Sequence, residues 1–300
     1  MRIKTDITAL GELLIDFTPA GVSQQGMRLF EQNPGGAPAN LLAAAAKFGR
    51  KTAFIGKVGK DMHGDFLKET LIRAGINTDN LIQDEKYFTT LAFVSLKENG
   101  EREFAFARKP GADTNLCMKE IDPEILENTR VFPVARNSGA VISYDPNYRA
   151  ALWSDPETAQ LRMQSLIPYV DMMKISDEET SLLTPYQDPE EAIQYLLRQG
   201  VHLVAVTLGR DGALIGNENG IVKAEGFSSH AVDTTGAGDS FWGGFLASYL
   251  QEETSPEHLT RAQMIQFGRV GNAVASLCVE RRGGISAIPE MEEIEERLRG

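Results

Sequence analysis

The sequence has 300 residues, of which 42% are hydrophobic and 24% are charged, a composition typical of a globular protein with a large core. Its 42 acidic and 30 basic residues give a formal net charge of −12, which argues against nucleic acid as a partner. The longest apolar run, near residues 41–46, is far short of the roughly 20 residues that span a bilayer, and the first residues lack the apolar core of a signal peptide. Two cysteines are too few for a disulfide framework. We therefore expect a cytoplasmic protein with no membrane contact.

Short β-rich segments alternate along the chain with helical ones, which is the pattern of a mostly parallel sheet covered by helices on both faces. The predicted strands are residues 7–17, 52–59, 139–147, 170–176 and 201–209. The predicted helices are Asp61–Ala74, Pro156–Leu166, Pro189–Gln199 and Pro256–Val279.

One segment departs from this alternation. TTLAFVSLKENGEREFAFAR, residues 89–108, alternates apolar and polar residues on both sides of Asn99 and Gly100, the strongest short signal for a two-residue hairpin turn. Together with residues 18–32 it predicts a small β-lid, formed by about 18–32 and 88–108. We place this lid over the carboxyl ends of the main strands, where open α/β sheets bind ligands.

Two predicted strands near the middle of the chain are unusually close together. One ends near Phe132 and the next begins near Ala140, whereas a parallel crossover needs a dozen or more residues. Either the sheet is rearranged locally, or a segment of the natural chain is missing from this sequence near Phe132–Ala135. We favour the second interpretation.

The segment DTTGAGDSFWGGF, Asp233–Phe245, places glycines and a carboxylate before an apolar helix. Phe241, Phe245 and Tyr249 recur at helical spacing, so we expect the helix to begin at or just after Asp239. The glycines let backbone N–H groups converge beside the positive end of the helix, which predicts an anion site, with phosphate the favoured ligand.

Asp239 has two interpretations. It is either an N-cap, as an isolated aspartate before a helix usually is, or a base that accepts the proton of a hydroxyl attacking a bound phosphoryl group. The sequence contains no Walker motif, so the protein is not a P-loop enzyme. No G-x-G-x-x-G follows the first strand, which argues against a dehydrogenase.

A second glycine-rich segment, NPGGAPANLLAAAAKFG, covers Asn33–Gly49. Pro38 is suited to the first turn of a helix that ends at Gly49. Close packing of this helix on the sheet would explain its alanines. It does not explain paired Gly35 and Gly36 followed by Asn40, whose amide can both donate and accept hydrogen bonds, whereas a small polar ligand would.

With both glycine-rich segments present in this order, the chain resembles the ribokinase-like (PfkB) carbohydrate kinases over nearly its whole length. Two shorter matches, ARKPGAD at 107–113 and DPNYRAALW at 145–153, are similar to the fructokinase branch. The resemblance implies one ribokinase-like domain over residues 1–300, an α/β protein with a three-layer α/β/α fold, a mostly parallel central sheet and a small β-lid. It also implies transfer of the γ-phosphate of ATP, with Mg²⁺, to a sugar hydroxyl, with D-fructose to fructose 6-phosphate as the favoured reaction.

The resemblance further implies roles for individual residues. Asp239 matches the catalytic base, and the anion hole matches Gly236, Ala237 and Gly238. The implied sugar-binding positions are Asp16, Gly35, Gly36, Asn40, Arg108 and Asp239. Asp16, placed at the end of the first strand, could instead be a simple turn residue.

The implied nucleotide-binding positions are Lys174, Thr207, Gly209, Gly236, Gly238, Asn272 and Arg149, with Asn147 near the reacting phosphates. Gly209 could be only a strand-end turn, and Asn272 only a polar residue on an apolar helix. Glu179 matches a position that organises Mg²⁺ indirectly, although Ser176 replaces the asparagine often found there. A capping box between Ser176 and Glu179 is the alternative, and both interpretations can hold at once.

Asp233, Thr235 and Ser286 resemble a K⁺ site described in several family members, with loop hydrogen bonding as the alternative. Other substrates of the same family also remain open, namely 2-keto-3-deoxygluconate, ribose or a nucleoside. A non-catalytic relative that keeps the fold as a binding or regulatory module is the alternative of another class. The expected partners are a small sugar and ATP, and an exposed edge of the β-lid could pair with a second copy as a homodimer.

Overall fold

The computed structural model describes residues 5–96, 102–132 and 140–300. The strands are β1 (Thr5–Leu10), β2 (Leu14–Val22), β3 (Arg28–Gly35), β4 (Thr52–Gly59), β5 (Ile76–Asp84), β6 (Leu91–Leu96), β7 (Arg102–Ala107), β8 (Thr129–Phe132), β9 (Val141–Tyr144), β10 (Met172–Ser176), β11 (Leu203–Thr207), β12 (Ala213–Asn217) and β13 (Gly220–Ala224). The helices are α1 (Ala37–Lys47), α2 (Met62–Arg73), α3 (Pro123–Glu127), α4 (Pro156–Gln164), α5 (Thr180–Leu183), α6 (Pro189–Arg198), α7 (Ala237–Tyr249), α8 (Arg261–Cys278) and α9 (Met291–Arg299).

Nine strands form one sheet in the order β13-β12-β11-β10-β9-β8-β1-β4-β5. All neighbouring pairs from β11 to β5 are parallel, and only β12 and β13 are added antiparallel. Strand β4 is buried at every position, as a parallel strand covered on both faces must be. The prediction of a mostly parallel central sheet is confirmed.

Helices cover both faces of this sheet. On one face, a core that includes Phe54, Trp242 and Phe245 joins α1, α7 and α8 to the strands. On the other face, α4 and α6 pack over alternate residues such as Met173 and Val204. Burying each large apolar side chain stabilises the folded state by roughly 1.5–3 kcal/mol. The stacked rings of Trp242 and Phe245, with centroids 4.9 Å apart, therefore anchor α7 on the sheet.

The remaining four strands form a small sheet in the order β3-β2-β6-β7. Strands β6 and β7 pair antiparallel, with Leu91 opposite Ala107, while the predicted turn at Asn99 and Gly100 lies outside the described residues. We call these four strands the lid sheet.

The prediction of one strand over residues 7–17 is wrong. The chain leaves the main sheet after Leu10 and enters the lid sheet at Leu14, where the N–H of Ile15 donates to the carbonyl of Thr90 at 3.1 Å. Buried apolar residues lie on both sides of this passage, Ala9 before it and Leu13 after it, so the two strands were predicted as one across Gly11 and Glu12.

Strands β8 and β9 are parallel neighbours, with Val131 opposite Val141. Residues 133–139, between them, lie outside the described part of the chain. The interpretation that a segment is missing here therefore stays a prediction.

Three predicted helices are confirmed to within two residues as α2, α4 and α6. The single helix predicted over 256–279 is wrong, because a short 3₁₀ turn at Pro256–His258 precedes α8. Thr260 caps α8 in a capping box with Gln263, which explains why the helix starts there rather than at the proline. Strands β5, β12 and β13 were not predicted.

Candidate active site

A cavity of about 890 Å³ opens at the carboxyl ends of the main strands, where open α/β sheets bind ligands. Its walls come from the ends of β1, β9, β10 and β11, from β2 and β7 of the lid sheet, and from the starts of α1 and α7. Every predicted sugar- and nucleotide-binding residue except Gly35 borders it. A smaller cavity of about 590 Å³ lies at the amino ends of β1, β4 and β5 and is lined by none of these residues.

The start of α7 forms one wall of this cavity. Gly236, in a left-handed conformation with φ 75°, is the N-cap, and the helix begins at Ala237. Asp239 is therefore the third helical residue, so its interpretation as the N-cap and the predicted helix start are both wrong. Among the described residues no side chain caps α7, so the positive end of its dipole borders the cavity, as an anion site requires. Of the amides predicted to form the anion hole, that of Ala237 donates to the carbonyl of Thr234 at 3.3 Å.

Asp239 is only 8% exposed and accepts a hydrogen bond of 2.8 Å from Nδ2 of Asn40 to its Oδ2. Burial raises the pKa of Asp239, while the charge of Lys174 and the hydrogen bond from Asn40 oppose that rise. A carboxylate with a raised pKa is a stronger base than an ordinary aspartate. The site therefore holds a group suited to accepting a hydroxyl proton.

Asn40 reaches Asp239 because glycines leave room for it. A β-carbon at Gly236 would lie 3.2 Å from Nδ2 of Asn40, and one at Gly284 would collide with its Oδ1. That Oδ1 is buried and has no hydrogen-bond partner among the described residues. Because buried polar atoms are nearly always paired, this oxygen is available as a hydrogen-bond acceptor beside the cavity.

Lys174 places a fixed positive charge beneath the start of α7. Its side chain is buried, and Nζ lies 3.0 Å from Oδ2 of Asp145. Burial disfavours the charged lysine, but the carboxylates of Asp145, Glu179 and Asp239 outweigh burial and raise its pKa. Burial raises the pKa of Asp145 to about 6, against the opposing charge of Lys174. A β-carbon at Gly238 would lie only 2.7 Å from the lysine Nζ, so a larger residue there would require this ammonium, which pairs with Asp145, to move.

Glu179 holds two loops together at the end of β10. It forms the predicted capping box with Ser176, which is confirmed, and its Oε1 also accepts a 2.7 Å hydrogen bond from the N–H of Tyr148. This second bond anchors the loop that carries Asn147, whose φ is 45°, and Arg149, which is exposed at the cavity. Glu179 therefore orients the predicted phosphate-side residues through the backbone.

Asp16, Gly36 and Asn40 border the end of the cavity formed by β2 and the start of α1, and Gly35 lies beside them. Asp16 lies within β2, opposite Asn33 of β3, so its placement at the end of the first strand and its interpretation as a turn residue are both wrong. Gly35 ends β3, where a β-carbon would collide with the carboxylate of Asp16. Gly36, with φ 127°, is the N-cap of α1, which carries Asn40.

Arg108 borders the same end of the cavity. Its Nη2 lies 2.5 Å from Oδ2 of Asp113, whose other oxygen accepts a 2.6 Å hydrogen bond from the hydroxyl of Thr90. The guanidinium is therefore held by a buried carboxylate rather than free in solvent.

Thr207, Gly209 and Asn272 line the opposite side of the cavity. The hydroxyl of Thr207 donates to the carbonyl of Ile175 at 3.3 Å, and Gly209 has φ 56° at the turn after β11. The amide of Asn272 donates to the carbonyls of Ala224 and Glu225 at 2.9 and 3.0 Å. Asn272 thus fixes the end of β13, a structural task that the sequence does not reveal.

Asp233 lies behind this wall. Its oxygens accept hydrogen bonds from the N–H groups of Thr235 and Gly283 at 2.7 and 3.2 Å, and the hydroxyl of Ser286 donates to the carbonyl of Arg282 at 3.5 Å. The loop hydrogen bonding expected as the alternative is therefore present. Within the described ranges no three acidic, histidine or cysteine side chains form a metal-ligating cluster.

Two residues of the site were missed by the sequence analysis, Glu12 and Asp145. Asp145 directly follows β9, and Glu12 lies two residues beyond the end of β1. Polar residues at the carboxyl edge of the sheet are the signal that could have identified them. None of the helices within residues 5–96, 102–132 and 140–300 combines the length and apolar character that a membrane span needs.

The chain is similar to a probable fructokinase-4 of Arabidopsis thaliana, with 35% identity over 321 aligned residues that cover 99% of this chain and 98% of the relative. Because the alignment is longer than the 300 residues of this chain, at least 21 of its positions have no counterpart here.

Solved structures of similar fold include a fructokinase with bound ATP from Xylella fastidiosa, at 29% identity and a TM-score of 0.89, covering 99% of this chain and 98% of that one. A fructokinase from Vibrio cholerae O395 in a fructose-, ADP- and calcium-bound form matches at 29% identity and a TM-score of 0.85, covering 98% and 99%. A double mutant of the Vibrio cholerae O395 fructokinase, in a fructose-, ADP- and potassium-bound form, matches at 28% identity and a TM-score of 0.86, covering 99% of this chain and 99% of that one.

The family model described as pfkB family carbohydrate kinase matches residues 4–291. The match spans both glycine-rich segments and the cavity that they build around Asp239. The chain therefore belongs to the pfkB family of carbohydrate kinases.

Proposed function

We propose that this protein transfers the γ-phosphoryl group of ATP to a hydroxyl of D-fructose and forms fructose 6-phosphate. The observation that carries the proposal is the position of Asp239, a buried carboxylate held by Asn40 beside the uncapped start of α7. This arrangement supplies a base for the hydroxyl and amide donors for the phosphoryl oxygens within one cavity. The fructokinase relatives support fructose as the sugar.

In the proposed reaction the sugar oxygen forms a bond to the γ-phosphorus while the bond from that phosphorus to the ADP oxygen breaks. The carboxylate of Asp239 accepts the proton of the sugar hydroxyl. Amides of Gly236 and Gly238, with the ammonium of Lys174, stabilise negative charge on the transferred group, and the amide of Ala237 joins them if it exchanges its bond to the carbonyl of Thr234 for a phosphoryl oxygen. Arg149, exposed at the same end of the cavity, adds a second cation for the phosphates.

Thr207, Gly209 and Asn272 are proposed to border the nucleotide, and Asp16, Gly35, Gly36 and Asn40 the sugar. The unpaired Oδ1 of Asn40 favours this assignment, because a sugar hydroxyl would donate to it. We propose that the lid sheet, with Asp16 and Phe106 on the cavity wall, limits access of water, which would otherwise compete as the phosphoryl acceptor.

Mg²⁺ fits this site as a partner of the phosphates, to which it would supply charge neutralisation. Glu179 already accepts hydrogen bonds from the backbone of Tyr148 and Ser176, so its contribution to the metal is indirect. For K⁺, the Asp233–Thr235 loop and the loop that carries Ser286 are the proposed location, since Asp233 joins both. The structure of a relative with potassium supports a monovalent cation.

The direct test is an ATP-dependent assay with fructose, ribose, 2-keto-3-deoxygluconate and adenosine as acceptors. We expect the largest kcat/KM with fructose. A higher value with another acceptor would replace fructose as the substrate, and no transfer to any of them would favour the non-catalytic relative.

We also propose that the protein acts in the cytoplasm.

We further propose that the lid sheet pairs with a second copy of the chain. Val22, Met27, Phe30 and Phe93 are exposed on strands or turns of this sheet, and an apolar exposed patch is a common site of association. Light scattering should therefore give the mass of a dimer, and Phe30→Ser should weaken it. Met118→Ser, which removes an exposed apolar side chain outside the lid sheet, is the control; a monomer at all concentrations would contradict the proposal.

A further inference from the structure

The ion pair of Arg108 and Asp113 is exposed to the cavity on one side only. The side chain of Arg108 borders the cavity and is 20% exposed. The side chain of Asp113 is 2% exposed, and Asp113 is not among the described residues that line the cavity. A ligand can therefore reach the guanidinium but not the carboxylate that pairs with it. Any effect of this carboxylate on ligand binding must pass through the arginine.

Asp113 is itself held in place. Its Oδ1 accepts a hydrogen bond of 2.6 Å from the hydroxyl of Thr90. Thr90 lies immediately before β6, and Arg108 directly follows β7, so this carboxylate joins the two ends of one hairpin of the lid sheet. The 3₁₀ turn that begins at Asp113 is also tied to the main sheet, because Nζ of the buried Lys57, on β4, donates to the carbonyl of Asn115 at 3.2 Å. The carboxylate thus has a fixed position from which it can orient the arginine.

Gly111 leaves the space in which these three side chains meet. A β-carbon at this position would collide with the hydroxyl of Thr90, and it would lie 2.6 Å from Oδ1 of Asp113 and 3.0 Å from Cγ of Arg108. The φ of Gly111 lies outside the left-handed region, so it is space and not backbone conformation that favours glycine here. The segment ARKPGAD, residues 107–113, therefore supplies the arginine, its carboxylate partner and the room for both.

An oriented arginine binds a sugar better than a mobile one. Its side chain is long and flexible, and its planar guanidinium donates hydrogen bonds in fixed directions. The oxygens of sugar hydroxyl groups accept such bonds. When a neighbouring carboxylate already holds the guanidinium, less side-chain entropy is lost on binding.

We propose that Asp113 is a positioning residue that orients Arg108 for binding the sugar, with Thr90 holding the carboxylate in place. This inference rests on the proposed sugar-kinase function and explains how one sugar-binding group is oriented. Asp113 acts through the arginine and touches neither the sugar nor the transferred phosphoryl group.

The test compares the KM for fructose with the KM for ATP and with kcat. Asp113→Asn keeps the size of the side chain but removes the charge that pairs with the guanidinium. Thr90→Val removes the hydroxyl donor and keeps the branched shape, and it carries the same comparison if Asp113→Asn does not fold. Asp6→Asn is the matched control, because it makes the same substitution in a carboxylate that pairs with Arg130 near the amino end of β1.

We expect the KM for fructose to rise by about tenfold in Asp113→Asn and by a smaller factor in Thr90→Val. The KM for ATP and kcat should change by less than about threefold, and all three constants should be unchanged in Asp6→Asn. A variant that had only lost folded protein would show a lower kcat with both KM values unchanged. The KM for fructose therefore separates positioning from stability.

A second measurement uses Arg108→Met, which removes the group through which Asp113 is proposed to act. Adding Asp113→Asn to Arg108→Met should change the KM for fructose by less than about twofold. An unchanged KM for fructose in Asp113→Asn, or an equal rise with and without the guanidinium, would overturn the inference and leave the proposed function intact.

The proposed function fails separately, if the wild type transfers no phosphoryl group to fructose. Calorimetric binding of fructose to the same variants then decides the inference. Binding that is about tenfold weaker in Asp113→Asn than in the wild type would support it. Equal binding, or no binding to the wild type, would refute it.

Discussion

Asn40 and Asp239 are 199 residues apart in the sequence, and a hydrogen bond of 2.8 Å joins their side chains at the wall of the cavity. An ionised carboxylate can only accept, so the donor is the NH₂ group of Asn40. The bond ties the start of α1 to the start of α7, the two helices that follow the glycine-rich segments. Because it stabilises the ionised form of Asp239, it lowers the pKa of that residue against the effect of burial.

The first prediction concerns this hydrogen bond. Asn40→Ala removes the donor and should raise the pKa of Asp239. The base must be unprotonated to act, so the acid limb of the pH profile of kcat should move to higher pH, measured at saturating fructose and ATP. Asn77→Ala is the matched control, since it removes an exposed hydrogen bond from an asparagine to Asp79. An acid limb that stays in place or moves to lower pH would contradict the role of Asn40.

A second prediction addresses the base itself. Asp239→Asn keeps the size of the side chain but removes its basicity, so we expect kcat to fall by roughly two to four powers of ten. The affinity for fructose should change little, because the other sugar-binding groups remain. Steady-state kinetics and fructose binding by calorimetry measure the two effects separately. Activity within about tenfold of the wild type would exclude Asp239 as the base.

Much of this site could be predicted from the sequence because its parts are local. Glycines, Asn40 and Asp239 lie within short segments whose helical spacing is visible. The break between β1 and β2 is not visible, since residues on both sides are buried in different sheets. The start of α7 was placed two residues late because Gly236 caps it by conformation rather than by a side chain.

Contacts between residues that are far apart in the chain could not be predicted from the sequence. Glu12 is held by the N–H of Ala37, and Asn272 by the carbonyls of Ala224 and Glu225 at the end of β13. The proposed missing segment near Phe132–Ala135 stays a prediction, because residues 133–139 lie outside the described part of the chain. The intact mass of the protein from its natural source would test it.

The third prediction concerns the buried charge of Lys174. Lys174→Met leaves Asp145, Glu179 and Asp239 without their shared cation, so at pH 8 the free energy of unfolding should fall by about 3–5 kcal/mol. Burial raises the pKa of Asp145 and Asp239 above ordinary values, and Lys174 opposes this, so its removal raises both further. A carboxyl whose pKa is higher in the folded than in the unfolded state makes the folded protein less stable as the pH rises above the unfolded pKa. The stability returns as the pH falls.

The difference in unfolding free energy between the wild type and Lys174→Met should therefore become smaller as the pH falls from 8 to 5. Urea unfolding at several pH values measures it. Lys60→Met, which removes an exposed ion pair with Glu85, is the control and should change stability little at any of these pH values. A deficit that is equal or larger at pH 5 would show that Lys174 stabilises the fold by packing rather than by charge.

The fourth prediction concerns the approach of Lys174 to α7. On helix propensity alone, Gly238→Ala should stabilise the helix by about 1 kcal/mol. Here the new β-carbon would lie 2.7 Å from Nζ of Lys174, so we expect the substitution to destabilise the protein by roughly 1–3 kcal/mol. In the Lys174→Met background Nζ is absent, and the nearest remaining side-chain position, that of Cε, is 3.3 Å away. There Gly238→Ala should be neutral or stabilising. Unfolding free energies of the wild type, both single variants and the double variant form the cycle that measures this coupling. If Gly238→Ala changes the unfolding free energy equally in the two backgrounds, Lys174 is not the reason for the glycine at position 238.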